Sequence, residues 1–280
     1  MNKVVIGLPV YNEEKNLNKV LKNIINQKCI GKKVIISDNN STDKTEEICK
    51  KYIKKYNYIK YYRQKKKIDQ FKNFNFVLQK AKSKYFIWQA ADDLRSKNFL
   101  VRNINFLEKN PLFVASTGIS ILDKKKFKKK IINFSLSGNI YKRLFIFFRY
   151  KWVSRGIFDS VVRLDVLKKF PYNNFNTYFA RDWTIILFLL SQGQINRDKL
   201  SRTYFGSKGL SLRHDALKIV RFNKKKYNYI ETIFPFFYFT KHSLSLYKNY
   251  NLFVKLFLIF QLLLLNFISG LKLFYKNIKN

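Results

Sequence analysis

Short apolar runs and helix-spaced segments alternate four times before Asp93, with only a few residues at each joint, and few folds accept that alternation. Residues 3–9 are apolar and closed by Pro9. Residues 16–27 then place Leu17, Val20, Leu21, Ile24 and Ile25 at helical spacing. Residues 33–38 form a second apolar run that ends in Asp38, and residues 45–56 form a helix with Ile48, Cys49, Tyr52 and Ile53 on one face. A third strand is predicted over 58–62, a helix over 71–82 and a fourth strand over 85–88. Strands this uniformly apolar are covered on both faces, which is the habit of parallel strands joined by helices. The reading is therefore an open α/β sheet, whose ligands bind outside the carboxyl ends of the strands.

The fourth strand ends in Ala90-Ala91-Asp92-Asp93. Two adjacent carboxylates are costly to bury unpaired, and hard oxygen donors of this kind suit a divalent cation completed by phosphate oxygens. A solvated loop start or a helix cap is the plainer alternative. The chain holds only 17 acids against 56 Lys plus Arg, a net charge of +39. Pro9, Tyr11 and Asp38 also lie at carboxyl ends, so three strand ends meet at one crevice and favour the cation. The positive excess implies an anionic partner: nucleic acid, an acidic membrane face or a phosphate-bearing ligand. Cys29 and Cys49 form neither a metal pattern nor a disulfide framework, and the chain enters its first strand without a leader-like segment.

Gly7-Leu8-Pro9-Val10-Tyr11-Asn12-Glu13-Glu14, then Ser37-Asp38-Asn39-Asn40-Ser41-Thr42-Asp43, then Asn75 and Ala81 before Tyr85 and Asp92-Asp93 follow a characteristic order and spacing. Together they resemble the inverting family 2 glycosyltransferases of the GT-A fold, clearly over residues 1 to 122 and weakly over 150 to 215. The resemblance implies a Rossmann-like mixed sheet flanked by helices. It implies that Pro9, Tyr11 and Glu13 line a base and ribose pocket, with Tyr11 stacked on the base. Asp38 would accept the N3 hydrogen of a uracil; a carboxylate accepts but does not donate, which favours uracil over cytosine. Asn75 would belong to the donor site. Asp92 would contact substrate, and Asp92 and Asp93 would hold Mg²⁺ or Mn²⁺. Two departures stand out. Ala90 occupies the place of an acid common two positions before Asp92, and Phe74 replaces a basic residue common before Asn75.

Residues 98–110 are predicted as a helix and 112–121 as a strand, followed by the basic run Lys124 to Lys130. That run reads as an exposed turn, with anionic lipid as the functional alternative. The aromatic and basic segment 139–152 suits packing on the sheet or a membrane interface. Residues 158–170 resemble the strand and helix that precede the family's catalytic acid, with Arg163 as its accompanying base. Tyr178-Phe179-Ala180-Arg181-Asp182-Trp183 resembles the second acidic site, with Arg181 in place of a Glu and Asp182 as general base. A helix-capping Asp182 paired with Arg181 is the alternative. Lys208 and Arg213, between glycines and beside His214, suit a loop over a diphosphate.

The tail carries an aromatic run at 234–239 and a long apolar stretch at 252–275 interrupted by Lys255, Gln261, Asn266 and Lys272. Its uncharged core, 256–271, is shorter than the roughly 20 residues of a membrane span. An interfacial helix or hairpin is expected; a span or packing on the soluble domain are the alternatives. The division is then 1–122 for nucleotide-sugar binding, 123–220 for the acceptor side and base, and 221–280 for a membrane-associated tail. Two functional classes compete. One is transfer of a sugar from a UDP-type donor to a glycan or lipid-linked acceptor at the cytoplasmic membrane face. The other is non-enzymatic: basic nucleic-acid binding, or a degenerate homologue that binds sugar nucleotide without catalysis. The chain carries no nucleic-acid-recognition signature, and clustered acids repel phosphate unless a cation intervenes, so no nucleic-acid partner is expected.

Overall fold

A computed structural model describes residues 3–121, 131–132, 134–149, 156–172, 178, 180–206 and 234–278. Its centre is a nine-stranded mixed sheet. The strands are β1 (Val4–Val10), β2 (Lys32–Asp38), β3 (Ile59–Arg63), β4 (Tyr85–Trp88), β5 (Leu94–Arg95), β6 (Phe113–Ile121), β7 (Ile131–Ile132), β8 (Val161–Arg163) and β9 (Gln194–Tyr204). Their order is β3-β2-β1-β4-β8-β6-β9-β5, with β7 paired to β6. The first four are parallel to one another. β8 runs antiparallel between β4 and β6. β6 and β9 are parallel, and β5 closes the far edge antiparallel to β9. Strands from both sides of residue 122 thus share one sheet.

Alternation along the strands decides which helices cover which face. Val4, Ile6, Leu8 and Val10 of β1 join Val34 and Ile36 of β2 under α1 (Leu17–Ile25), α2 (Thr45–Lys55) and α4 (Phe99–Lys109). Val5, Ile35, Phe86 and Trp88 point the other way. They meet α3 (Gln70–Gln79) and a larger helical layer of α5 (Ile140–Arg149), α6 (Leu164–Lys168), α7 (Arg181–Gln192), α8 (Phe237–Leu246) and α9 (Leu252–Ile278). Both faces are covered, as the apolar strands require.

The sequence boundaries hold to within a few residues for the first three helices. Segment 139–152 differs in its neighbours. Its helix, α5, buries Leu144, Phe147 and Phe148 against α7 and α9 rather than on the sheet. The tail helix α9 also packs on the protein. Val254, Leu258, Leu262 and Leu265 are buried against α5 and α8, and the Tyr141 and Phe257 rings meet edge to face. Asn266, an interruption in the sequence, accepts from the Phe236 N–H and donates to Thr240 Oγ1, pinning α9 to the start of α8. The opposite face of α9 stays apolar and exposed: Leu252, Phe253, Leu256, Phe260, Leu263 and Phe267.

α3 approaches β1 closely over Gly7. A Cβ on Gly7 would sit 2.7 Å from both Phe86 Cζ and Val77 Cγ2. Overpacking at such a site typically costs about 1–3 kcal/mol. Gly7→Ala should lower unfolding stability by that amount in urea titration, because the wall between β1 and α3 cannot yield without moving Phe86.

Candidate active site

The turns after β1 and β2 are zipped together. The Asn12 N–H donates to Ser41 Oγ at 2.9 Å, the Thr42 N–H to Asn12 Oδ1 at 2.9 Å, and the Glu13 N–H to Thr45 Oγ1 at 2.8 Å. Asn12 and Asn40 both adopt left-handed backbone, which Asn tolerates better than most residues. Val10 and Asp38 are level in the sheet, so both turns leave the same edge. Pro9 is buried, and Glu13 is partly buried, with its carboxylate accepting from Asn16 Nδ2. Tyr11 is 38% exposed, and the Lys67 ammonium lies 4.1 Å from its ring centre. Asp38 is enclosed: its carboxylate accepts from the Ser41 N–H, the Ser41 hydroxyl and the Tyr61 hydroxyl, with Arg63 Nη1 at 3.6 Å.

Asn75 sits half-buried on α3 and accepts from Gln79 Nε2. The buried amide is Asn73, which accepts from Ser37 Oγ and donates to the Ser37 carbonyl. The sequence reading passed over Asn73 because it follows no motif. Phe74 packs among Phe71, Trp88 and Phe158, and Trp88 and Phe158 stack in parallel with centroids 4.5 Å apart. Arg163 donates to the carbonyls of Leu107, Asn110 and Phe113, and so holds the end of α4.

Beyond Trp88, Gln89 shapes the acidic turn by donating to the carbonyls of Ala90 and Asp93. Asp92 is partly buried and Asp93 is 4% exposed. The end of β9 passes over the pair. The Gly206 N–H donates to Asp93 Oδ1 at 2.8 Å, and a Cβ on Gly206 would sit 2.3 Å from Asp92 Oδ2, so only glycine fits. Arg95, also 4% exposed, donates to the carbonyls of Trp88 and Asp159, and its Nε has no partner.

Asp159, in the turn before β8, completes a group of four acids with Asp92, Asp93 and Asp182. Burial raises the Asp93 carboxyl to about 7; Asp159 and Asp92 add to the rise, and the Gly206 N–H and Arg95 oppose it. Burial likewise lifts Asp159 to about 6, opposed by Arg95 and reinforced by Asp182 and Asp92. Sequence reasoning missed Asp159. An acid directly before a strand, in a chain with 17 acids, was the available signal.

Asp182 lies in the first turn of α7, after Ala180 in left-handed backbone. Arg181 pairs with Asp69 rather than with Asp182, at 3.7 Å, and covers the Phe71 ring at 4.7 Å. Lys208, Arg213 and the basic run 124–130 lie outside the described residues. Among the described residues no three His, Cys, Asp or Glu side chains form a closed metal group. Two adjacent carboxylates nevertheless fit Mg²⁺ or Mn²⁺ chemistry, in which one or two protein carboxylates are completed by substrate phosphates and water.

The raised carboxyls fix the sign of a pH effect. Unfolded, an Asp releases its proton near pH 3.9. Folded, Asp93 and Asp159 hold theirs to about 7 and about 6. The folded state therefore binds more protons across that window, and stability falls as pH rises through it. Metal-free protein should show a thermal midpoint that drops as pH rises from about 4 to 7. Calorimetry of Asp93→Asn should show a flatter profile.

Residues 5–172, more than half of the chain, match the family described as Glycosyl transferase family 2. The minor teichoic acid biosynthesis protein GgaB of Bacillus subtilis is 24% identical over 90% of this chain, which spans 27% of that protein. A dolichyl N-acetyl-alpha-D-glucosaminyl phosphate 3-beta-D-2,3-diacetamido-2,3-dideoxy-beta-D-glucuronosyltransferase of Methanococcus voltae is 36% identical over 37% of this chain and 33% of its own. The chain thus spans about a third or less of these two relatives. Among solved structures, S. aureus TarS 1–349 in complex with UDP-GlcNAc aligns at a TM-score of 0.54 and 15% identity, covering 88% of this chain and 74% of that one. The mannosyltransferase PcManGT of Pyrobaculum calidifontis, in complex with GDP-Man and Mn²⁺, aligns at 0.55 and 13%, covering 93% and 72%. These likenesses establish the GT-A type of fold, and the match over residues 5–172 places the chain in glycosyl transferase family 2.

Proposed function

We propose that this chain transfers a sugar, with inversion, from a nucleoside-diphosphate donor to a glycan or lipid-linked acceptor. The observation that carries the reading is the electrostatic interaction that links Asp92 and Asp93, at the end of β4, to Asp159 and, through it, to Asp182 of α7. Asp182 takes the proton of an acceptor hydroxyl as its oxygen attacks the anomeric carbon. The bond from that carbon to the diphosphate oxygen breaks, and the nucleoside diphosphate carries the electron pair away. A single displacement of this kind inverts the centre. Asp92 and Asp93 are the residues to hold Mg²⁺ or Mn²⁺, which when bound offsets charge on the leaving diphosphate. Tyr11, on the rim, offers its ring to the base. Asp38, level with Val10 at the end of β2, is the residue the family resemblance offers to the N3–H of uracil, which favours UDP. The relatives named for teichoic acid and dolichyl-phosphate sugar synthesis support surface polysaccharide or glycolipid assembly.

Calorimetry with UDP tests the donor site directly. Wild type should bind UDP in the presence of Mn²⁺, and Asp93→Ala should lose the metal-dependent part. Absence of binding in wild type under any metal condition sinks the uridine assignment. Asp182→Asn should keep UDP affinity and lower kcat by roughly 10²–10⁴-fold, the usual share of a general base.

The exposed apolar face of α9 supports a cytoplasmic membrane surface as the working place. Leu252–Leu271 is long and apolar enough to cross a bilayer, yet one of its faces is spent on α5 and α8. A helix half-committed to the protein fits lying in the interface. Lys and Arg elsewhere on the surface would add about 1 kcal/mol each near anionic lipid. Phe260→Glu with Phe267→Glu should abolish flotation with phosphatidylglycerol vesicles while leaving UDP affinity intact.

A further inference from the structure

Arg181 is 7% exposed, yet its guanidinium donates no hydrogen bond among the described residues. Buried guanidinium groups normally satisfy most of their five donors. The nearest carboxylate oxygen, Asp69 Oδ1, is 3.7 Å away and already caps α3 by accepting from the N–H groups of Phe71 and Lys72. The Phe71 ring holds the guanidinium from one side at 4.7 Å, which fixes its plane and leaves its edge donors unspent. Arg181 opens α7 directly before Asp182, and Asp69 opens α3 at the carboxyl edge of the sheet. Arg181 therefore lies where the starts of α3 and α7 come together, next in sequence to the proposed base.

We infer that Arg181 binds a phosphoryl group of a substrate beside the proposed base. Planar guanidinium donors match phosphoryl oxygens in pairs. The phosphoryl group has two sources under the glycosyl-transfer reading on which this rests: the donor diphosphate or a phosphate on the acceptor. Either one would pull the guanidinium away from its loose contact with Asp69.

The test compares wild type, Arg181→Met and Arg181→Lys by calorimetry, with UDP plus Mn²⁺ as the donor probe and glycerol 3-phosphate as the acceptor probe. Thermal unfolding runs alongside. Arg181→Met should weaken one probe at least tenfold, equivalent to about 1.4 kcal/mol, and Arg181→Lys should recover part of the loss. Loss on the UDP arm identifies the diphosphate; loss on the glycerol 3-phosphate arm identifies an acceptor phosphate. Folded Arg181→Met that binds both probes as wild type does overturns the inference and leaves the donor site standing. Wild type that ignores UDP but binds glycerol 3-phosphate through Arg181 removes the uridine reading and keeps the inference. Should Arg181→Met not fold, Asp69→Asn keeps the helix cap and releases the guanidinium. It should tighten the same probe, and unchanged affinity overturns the inference.

Discussion

Like charge held in a dry crevice is the constraint on which this molecule depends. Asp93 is buried beside Asp92 and Asp159, and Asp182 adds a fourth negative group within electrostatic reach. One buried cation, Arg95, stands among them, and part of its donor capacity goes to the carbonyls of Trp88 and Asp159. Burying carboxylates in this balance is unfavourable, so protons are retained until a positive ligand arrives. The tension is held in place by backbone. Gly206 brings its N–H onto Asp93 and admits no side chain against Asp92. β5, pairing with the end of β9, ties the strand after the acidic turn to the same corner. The acidic corner is thus assembled by sheet topology.

Helix α7, which carries Asp182, is held from the opposite side. Tyr247 and Tyr250, between α8 and α9, donate to the carbonyls of Leu187 and Ser191 at the far end of α7. Trp183, in the first turn, stacks on Phe236, whose N–H is held by Asn266 of α9. α9 therefore reaches α7 at both ends through α8 and its flanks. A surface that takes up the apolar face of α9 would load the same helix that carries Asp182. Few hydrogen bonds separate the exposed stripe from the crevice, and each uses a buried polar group that would be costly to leave unpaired.

Much of the first half was legible because its strands are short, apolar and punctuated by acids, and because parallel pairing puts every carboxyl end on one edge. Helix α1 follows its spacing of Leu17, Val20, Leu21 and Ile24 directly. Other features were not legible, for physical reasons. Asp159 enters the crevice only because β8 runs antiparallel between β4 and β6, a pairing that local pattern does not encode. Asn73 is a buried link to Ser37, although Asn75 is the residue that the motif singles out. Segment 139–152 shows an apolar face with no indication of its partner, and long-range packing assigned it to α7 and α9. At Phe74 and Arg181 the sequence showed two separate oddities, an aromatic for a base and a base for an acid. In space both lie against Phe71, so a cation missing from α3 is met by one at the start of α7.

Charge placement explains how a chain of net charge +39 can keep an acidic centre. Screening in physiological salt reduces surface fields within about 8 Å. An approaching anion therefore feels the Lys and Arg surface first and the buried acids only on contact. The positive exterior raises the local concentration of phosphate-bearing substrates. The buried acids add a short-range repulsion that a bare anion meets only on contact. Lys67 over Tyr11 and Arg181 over Phe71 each rest a cation on an aromatic face. A cation on an aromatic face gains about 0.5–2 kcal/mol, little enough for an arriving phosphate to displace.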